Sequence, residues 1–203
     1  MKKVIVIGCP GSGKTTFAEK LRDKTNLTLY YLDAIWHKPD KTHIPREEFD
    51  SRIQEIFRTP EWIIDGNYGS TMELRMQACD TVIFLDYPLD VCLNGIKERK
   101  GKPRSDLPWI EPDEDDVEFL EFIKNYNSQS RPKVTELLKR YSHKDIYIFV
   151  EEALIFLYRA HPTEEQRSCQ PSRLQGRGQA HPYPWTFAYT PEAQARKTSL
   201  LYL

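Results

Sequence analysis

Residues 8–15 read Gly8-Cys9-Pro10-Gly11-Ser12-Gly13-Lys14-Thr15, which fits the pattern G-x-x-x-x-G-K-[ST] of a phosphate-binding loop. The spacing has a physical basis. Glycines let successive backbone N–H groups curl around phosphate oxygens, and the helix that follows turns its positive end toward them. The flanks supply the context the pattern needs. Val4-Ile5-Val6-Ile7 ahead of it is a continuous apolar run suited to a strand covered on both faces, and Phe17, Ala18 and Leu21 behind it share one face of a helix. The expected ligands are ATP and Mg2+. Lys14 would neutralise β- and γ-phosphate oxygens, the Thr15 hydroxyl would coordinate Mg2+ and Thr16 would reach the α-phosphate. The nucleotide-binding set is Gly8, Pro10, Gly11, Ser12, Gly13, Lys14, Thr15 and Thr16, with Cys9 and Pro10 shaping the loop.

Outward from the loop, apolar runs over residues 3–7, 28–32, 62–64, 81–85 and 146–149 alternate with segments of helical period. That alternation implies βαβ units and an α/β fold with a parallel sheet. Phe49, Ile53, Ile56 and Phe57 form a helical stripe behind Pro45, and Ser70-Thr71-Met72-Glu73 has the form of a capping box. Phe119, Phe122, Ile123 and Tyr126 make a further stripe, as do Val134, Leu137, Leu138 and Tyr141. Between the helices lies Gly101-Lys102-Pro103-Arg104-Ser105-Asp106-Leu107-Pro108-Trp109-Ile110-Glu111-Pro112, a long loop read as a lid over about 100–117.

A magnesium–nucleotide site needs a carboxylate at the carboxyl end of a neighbouring strand. Asp33, Asp65 and Asp86 all follow strand candidates. Asp65 is the first choice for Mg2+, partly through water, because Gly66 permits close approach and Asn67 adds a hydrogen-bonding side chain. Asp33 comes next, as a catalytic and acceptor-binding group, whereas Asp86 before Pro88 suits a turn. Phosphoryl transfer also needs cations over the moving group. Arg99 and Arg104 stand at the start of the lid, the first just before it and the second within it, Arg131 begins the helix after it, and Arg75 is a fourth candidate. Trp36, Asn67 and Arg75 join Asp33 as acceptor-side residues, with Trp36, His37 and Trp109 as packing or pocket walls.

The composition is that of an ordinary globular chain, and 29 Lys and Arg against 30 Asp and Glu over 203 residues leave a net charge of −1. A strongly basic nucleic-acid-coating protein is excluded, and nucleic acid is not expected as a direct partner. Residues 146–157 are too short and too polar to span a bilayer of roughly 30 Å, and no leader is evident, so the expected location is the cytoplasm. Cys9, Cys79, Cys92 and Cys169 form no C-x-x-C pair, which argues against zinc and redox motifs. Nothing in the sequence assigns an oligomeric state. The charge divides unevenly: residues 1–149 carry 23 basic against 25 acidic groups, and residues 150–203 carry 6 against 5 with a single lysine and no aspartate. Residues 1–149 are expected to be the enzyme-like domain and residues 150–203 a weakly structured or disordered tail. Within that tail, residues 154–158 suit a short helix behind Glu151 and Glu152.

Residues 8–16, Leu32-Asp33-Ala34-Ile35-Trp36, Asp65-Gly66-Asn67-Tyr68 with Arg75 after it, and residues 81–88 together resemble the adenylate-kinase-like P-loop proteins labelled DNA topology modulation proteins. The resemblance covers residues 1–149. It implies the three-layer nucleoside monophosphate kinase fold: a five-stranded parallel sheet in 2-3-1-4-5 order, an acceptor region after the second strand and a lid between the fourth and fifth. Where adenylate kinases have Asp-Gly-Phe-Pro-Arg, this chain reads Asp65-Gly66-Asn67-Tyr68-Gly69, so AMP is not the expected acceptor. Gly95 stands where relatives place an arginine. The leading expectation is a phosphotransferase passing the γ-phosphate of ATP to a small-molecule acceptor. The alternatives are a nucleotide-dependent regulatory ATPase influencing DNA topology and a P-loop fold kept only for interactions.

Overall fold

The computed structural model describes residues 1–112, 114, 116–151 and 154–158. Its strands are β1 (Lys3–Gly8), β2 (Leu29–Tyr31), β3 (Trp62–Asp65), β4 (Thr81–Leu85), β5 (Asp145–Glu151) and β6 (Leu154–Tyr158). They form one sheet in the order β2-β3-β1-β4-β5-β6. The first five are mutually parallel, with Val4 opposite both Ile63 and Thr81, and this is the 2-3-1-4-5 arrangement of a P-loop kinase-like α/β fold.

The sixth strand departs from the sequence expectation. Residues 154–158 are not a helix; they pair antiparallel to β5, with Ile146 opposite Tyr158. Leu-Ile-Phe-Leu-Tyr is rich in residues suited to a pleat, and the edge of β5 offers unpaired N–H and C=O groups that a helix would leave open. The expectation of a weakly structured tail falls, for residues 152–153 and 159–203, outside the described residues.

The helices are α1 (Lys14–Thr25), α2 (Leu32–Trp36), α3 (Arg46–Arg58), α4 (Gly69–Ala78), α5 (Leu89–Arg99), α6 (Val117–Lys124), α7 (Tyr126–Gln129) and α8 (Arg131–Arg140). α3 starts behind Pro45 and buries Phe49, Ile53 and Ile56. α4 begins at Gly69, ahead of the expected capping box, and Thr71 donates its hydroxyl hydrogen bond back to the Tyr68 carbonyl. The apolar stripe over 119–126 divides at Asn125 into α6 and α7.

Period-two alternation of the strands makes two cores. Ile5, Ile7, Ile64, Val82, Phe84 and Ile148 face α3, α4 and α8, while Val4, Val6, Ile63, Ile83 and Leu85 face Ala18 and Leu21 of α1. Each such aliphatic side chain contributes about 1.5–3 kcal/mol by leaving water. A third cluster of Cys9, Cys92, Ile96, Ile123 and Tyr126 packs α5, α6 and α7 against the phosphate-binding loop. No helix among the described residues is long and apolar enough to cross a membrane.

Candidate active site

Backbone geometry builds the loop. β1 ends at Gly8, where a Cβ would meet the Leu85 carbonyl oxygen at 2.4 Å, so the chain turns flush against β4. Gly11 and Gly13 have φ of 82° and 79°, the left-handed region glycine enters freely. Gly13 precedes α1, whose first turn carries no acidic side chain, so the positive helix end is uncompensated by its own residues. Asn67 clamps the loop's entry: its Oδ1 accepts from the Gly8 N–H at 3.1 Å, and its Nδ2 donates to the Gly8 carbonyl at 2.5 Å. Lys14 Nζ donates to the Cys9 carbonyl at 2.9 Å. Burial pushes the Lys14 ammonium below the usual lysine range, and Asp65 and Asp33 oppose that shift.

Gly95 is explained by the same packing. A Cβ there would meet the Gly11 carbonyl oxygen at 2.1 Å, and one on Gly11 would meet the Cys92 carbonyl oxygen at 2.0 Å. α5 and the loop touch backbone to backbone, leaving no room at position 95 for an arginine.

Carboxylates close the other side. Asp65, at the end of β3 and 4% exposed, accepts the Thr15 hydroxyl hydrogen bond at 2.7 Å through Oδ2, while its buried Oδ1 has no hydrogen-bond partner among the described residues. Burial raises its pKa to about 6, against the lowering pull of Lys14 and the Thr15 hydrogen bond. Asp33 lies in the first turn of α2; Tyr68 donates its hydroxyl to Asp33 Oδ1 at 2.9 Å, and Arg104 Nη2 stands 3.9 Å from Asp33 Oδ2.

The lid folds over these groups. Gly101 N–H donates to the Glu111 carbonyl at 3.2 Å, closing the loop on itself. Arg99 Nη2 and Arg104 Nη1 both donate to Glu111 Oε1 at 2.8 Å. Arg104 also holds both oxygens of Asp106, and Ser105 donates to Glu19. Trp109 meets the His37 ring edge-on at 5.2 Å.

Lys14, Thr15, Asp33, Asp65, Arg99 and Arg104 thus surround one cleft of about 1510 Å3, which Asn67 also lines. Pro10, Gly11, Ser12, Gly13, Thr16, His37 and Trp109 line it as well, whereas Arg75, Trp36 and Arg131 lie elsewhere. Arg75 is fully buried and donates to the carbonyls of Gly66 and Tyr68, both at 2.8 Å, and to the Thr71 hydroxyl at 3.2 Å. It holds the turn carrying Asn67 rather than facing the cleft. Trp36 packs against His43, Phe49 and Tyr68, away from the lining. Arg131 makes a two-pronged pair with Asp86, both contacts at 2.8 Å. Tyr68, Asp106 and Glu111 are among the cleft residues that the sequence did not single out. Their signal was weak, since Asp106 and Glu111 stand among the mixed charges of an exposed-looking loop.

Strand order, loop and helix define a P-loop α/β protein of nucleoside monophosphate kinase-like arrangement. No family model matches the chain, and no curated protein matches it. Solved structures similar to it include shikimate kinase from Aquifex aeolicus, with 20% identity and a TM-score of 0.42 over 72% of this chain and 84% of that one. Shikimate kinase from Bacteroides thetaiotaomicron has 18% identity and a TM-score of 0.45 over 72% and 85%. Shikimate kinase from Acinetobacter baumannii, in complex with shikimate, has 14% identity and a TM-score of 0.48 over 68% and 80%.

Proposed function

We propose that this chain is an ATP-dependent phosphotransferase that passes the γ-phosphate to a hydroxyl of a small-molecule acceptor. The observation that carries the reading is the cleft itself, where Thr15 bonded to Asp65 faces Asp33 and the lid arginines. Loop N–H groups and Lys14 bind the polyphosphate. Mg2+ takes hard oxygen donors, and the Thr15 hydroxyl and the Asp65 carboxylate, with one buried oxygen free of hydrogen bonds among the described residues, fit it. When bound, the metal neutralises phosphate charge. Asp33 accepts the hydrogen bond of the attacking hydroxyl and Tyr68 fixes its orientation. Arg99 and Arg104 stabilise the equatorial oxygens of the moving group, and the lid excludes water.

A hydroxyl is preferred to a phosphate as acceptor because Arg75, the cation of the acceptor segment, is consumed by backbone carbonyls. The resemblance to DNA topology modulation proteins supports the placing of acceptor region and lid within this reading. The test is a panel of nucleotides, nucleosides, sugars and hydroxy acids with labelled ATP. Transfer to at least one hydroxyl compound, lost in Lys14→Ala, is expected. ATP binding without transfer to any member sinks the reading.

A further inference from the structure

Asp106 has no role in the scheme above, yet its position is specific. It belongs to the lid, is 2% exposed, and its Oδ2 stands 3.1 Å from Thr15 Oγ1. Asp65 Oδ2 stands 2.7 Å from the same oxygen. A hydroxyl carries one proton and donates it to one of these two carboxylates; the other faces an oxygen lone pair. Two anionic groups at one hydroxyl repel each other, and Arg104, the cation at this point, pairs with Asp106 alone of the two. Asp65 Oδ1 adds an independent sign: it is a buried oxygen, with no hydrogen-bond partner among the described residues, on a carboxylate residue that lines the cleft.

Charge around Thr15 points the same way. The described lining of the cleft holds eight Asp and Glu side chains, Asp33, Asp65, Asp106 and Glu111 among them, against seven Lys and Arg side chains. A polyphosphate entering such a site adds negative charge, and a lid that closed with an extra carboxylate would oppose it unless that carboxylate served a cation. Mg2+ in nucleotide sites is held by one or two carboxylates together with phosphate oxygens. Arg104 grips both oxygens of Asp106 and so fixes the carboxylate plane, as the outer partner of a metal ligand does.

We propose that Asp106 is a magnesium ligand supplied by the lid, sharing the metal with Thr15 and Asp65. The assignment rests on the nucleotide-binding reading of the cleft. It makes metal capture and lid closure one event, so that nucleotide without metal leaves the lid unanchored at Thr15.

Mn2+ is the probe, titrated by electron paramagnetic resonance into the 203-residue chain with a non-hydrolysable ATP analogue. Asp106→Asn is expected to weaken Mn2+ binding about tenfold, while analogue binding in EDTA is unchanged and Asp106→Glu recovers part of the loss. Equal Mn2+ affinity in wild type and Asp106→Asn overturns the assignment, and tighter binding in the variant overturns it by making Asp106 a plug. Wild-type chain that binds no Mn2+–nucleotide overturns the nucleotide reading itself, a distinct result. The wild-type chain also tests the idea without mutation. Tryptic cleavage after Lys100 and Arg104 is expected to slow with analogue plus Mg2+ and not with analogue in EDTA; equal protection in both refutes it.

Discussion

Arg75 is a cation sealed from water, with a guanidinium that satisfies Gly66 and Tyr68 carbonyls and a pKa pushed down to about 10 by burial. Arg75→Ala leaves two acceptors unpaired and a cavity besides, so urea unfolding is expected to show a loss of about 3–5 kcal/mol. Arg75→Lys is expected to recover little, because an ammonium cannot serve the carbonyls with the fixed fork of a guanidinium. Asp65 works against stability instead. Its pKa rises from 3.8 to about 6, so between those values the folded chain holds a proton the unfolded chain has released. Its contribution therefore turns unfavourable as pH rises through that window and stays so above it. Asp65→Asn is expected to stabilise the ligand-free protein by about 2–3 kcal/mol at pH 7 and by almost nothing at pH 4, read as Tm against pH, while losing metal-dependent nucleotide binding. These two residues also mark what sequence discloses. The place of Asp65 on the cleft was legible because a carboxylate that ends an apolar run falls at the carboxyl edge of the sheet. Arg75 was not, since an arginine within a helix looks the same whether it faces a ligand or a buried carbonyl. Asp106 stayed hidden because only folding selects it from the other lid charges.

At the scale of elements, the contact of α5 with the phosphate-binding loop carries the sharpest expectation. Gly95→Ala would place a methyl group where the Gly11 carbonyl stands, 2.1 Å from its oxygen, and one of the two backbones must move. Overpacking of this kind costs about 1–3 kcal/mol, and the loop is the softer partner. ATP affinity measured by calorimetry is expected to fall on the order of tenfold, with the circular dichroism of the sheet unchanged. Strands covered on both faces are unbroken apolar runs, which is why β1, β3 and β4 could be found without a structure. β6 has equally apolar residues, but the acids ahead of it also suit a helix; pairing with β5, a tertiary choice, decides between them. The division at Asn125 is likewise invisible to an apolar stripe that continues past it.

For the whole molecule, the site is assembled early in the chain. The cleft lies beyond the carboxyl ends of β1 and β3, and among the described residues its lining ends in sequence at Leu137, whereas β6 completes the opposite side of the sheet order from β2. A chain ended after residue 158 is expected to bind ATP with the affinity of the 203-residue chain, by calorimetry, since every described residue of the cleft is kept. Parallel order and lid position were within reach of sequence because both follow from the rhythm of elements. The convergence of Arg99 and Arg104 on Glu111 was not, since it depends on how a loop of mixed charge closes on itself.

The backbone contact between Gly11 and Gly95 also sets the mechanics of opening. α5 cannot slide without dragging the floor of the nucleotide site, so the expected pivot lies just past its end, at Lys100 and Gly101, the latter with φ of 65°. Arg99 then stays bolted to the floor while Arg104 travels with the cover. Glu111 travels with the cover too, so its contact with Arg99 is the one that crosses the pivot, and opening is expected to break it.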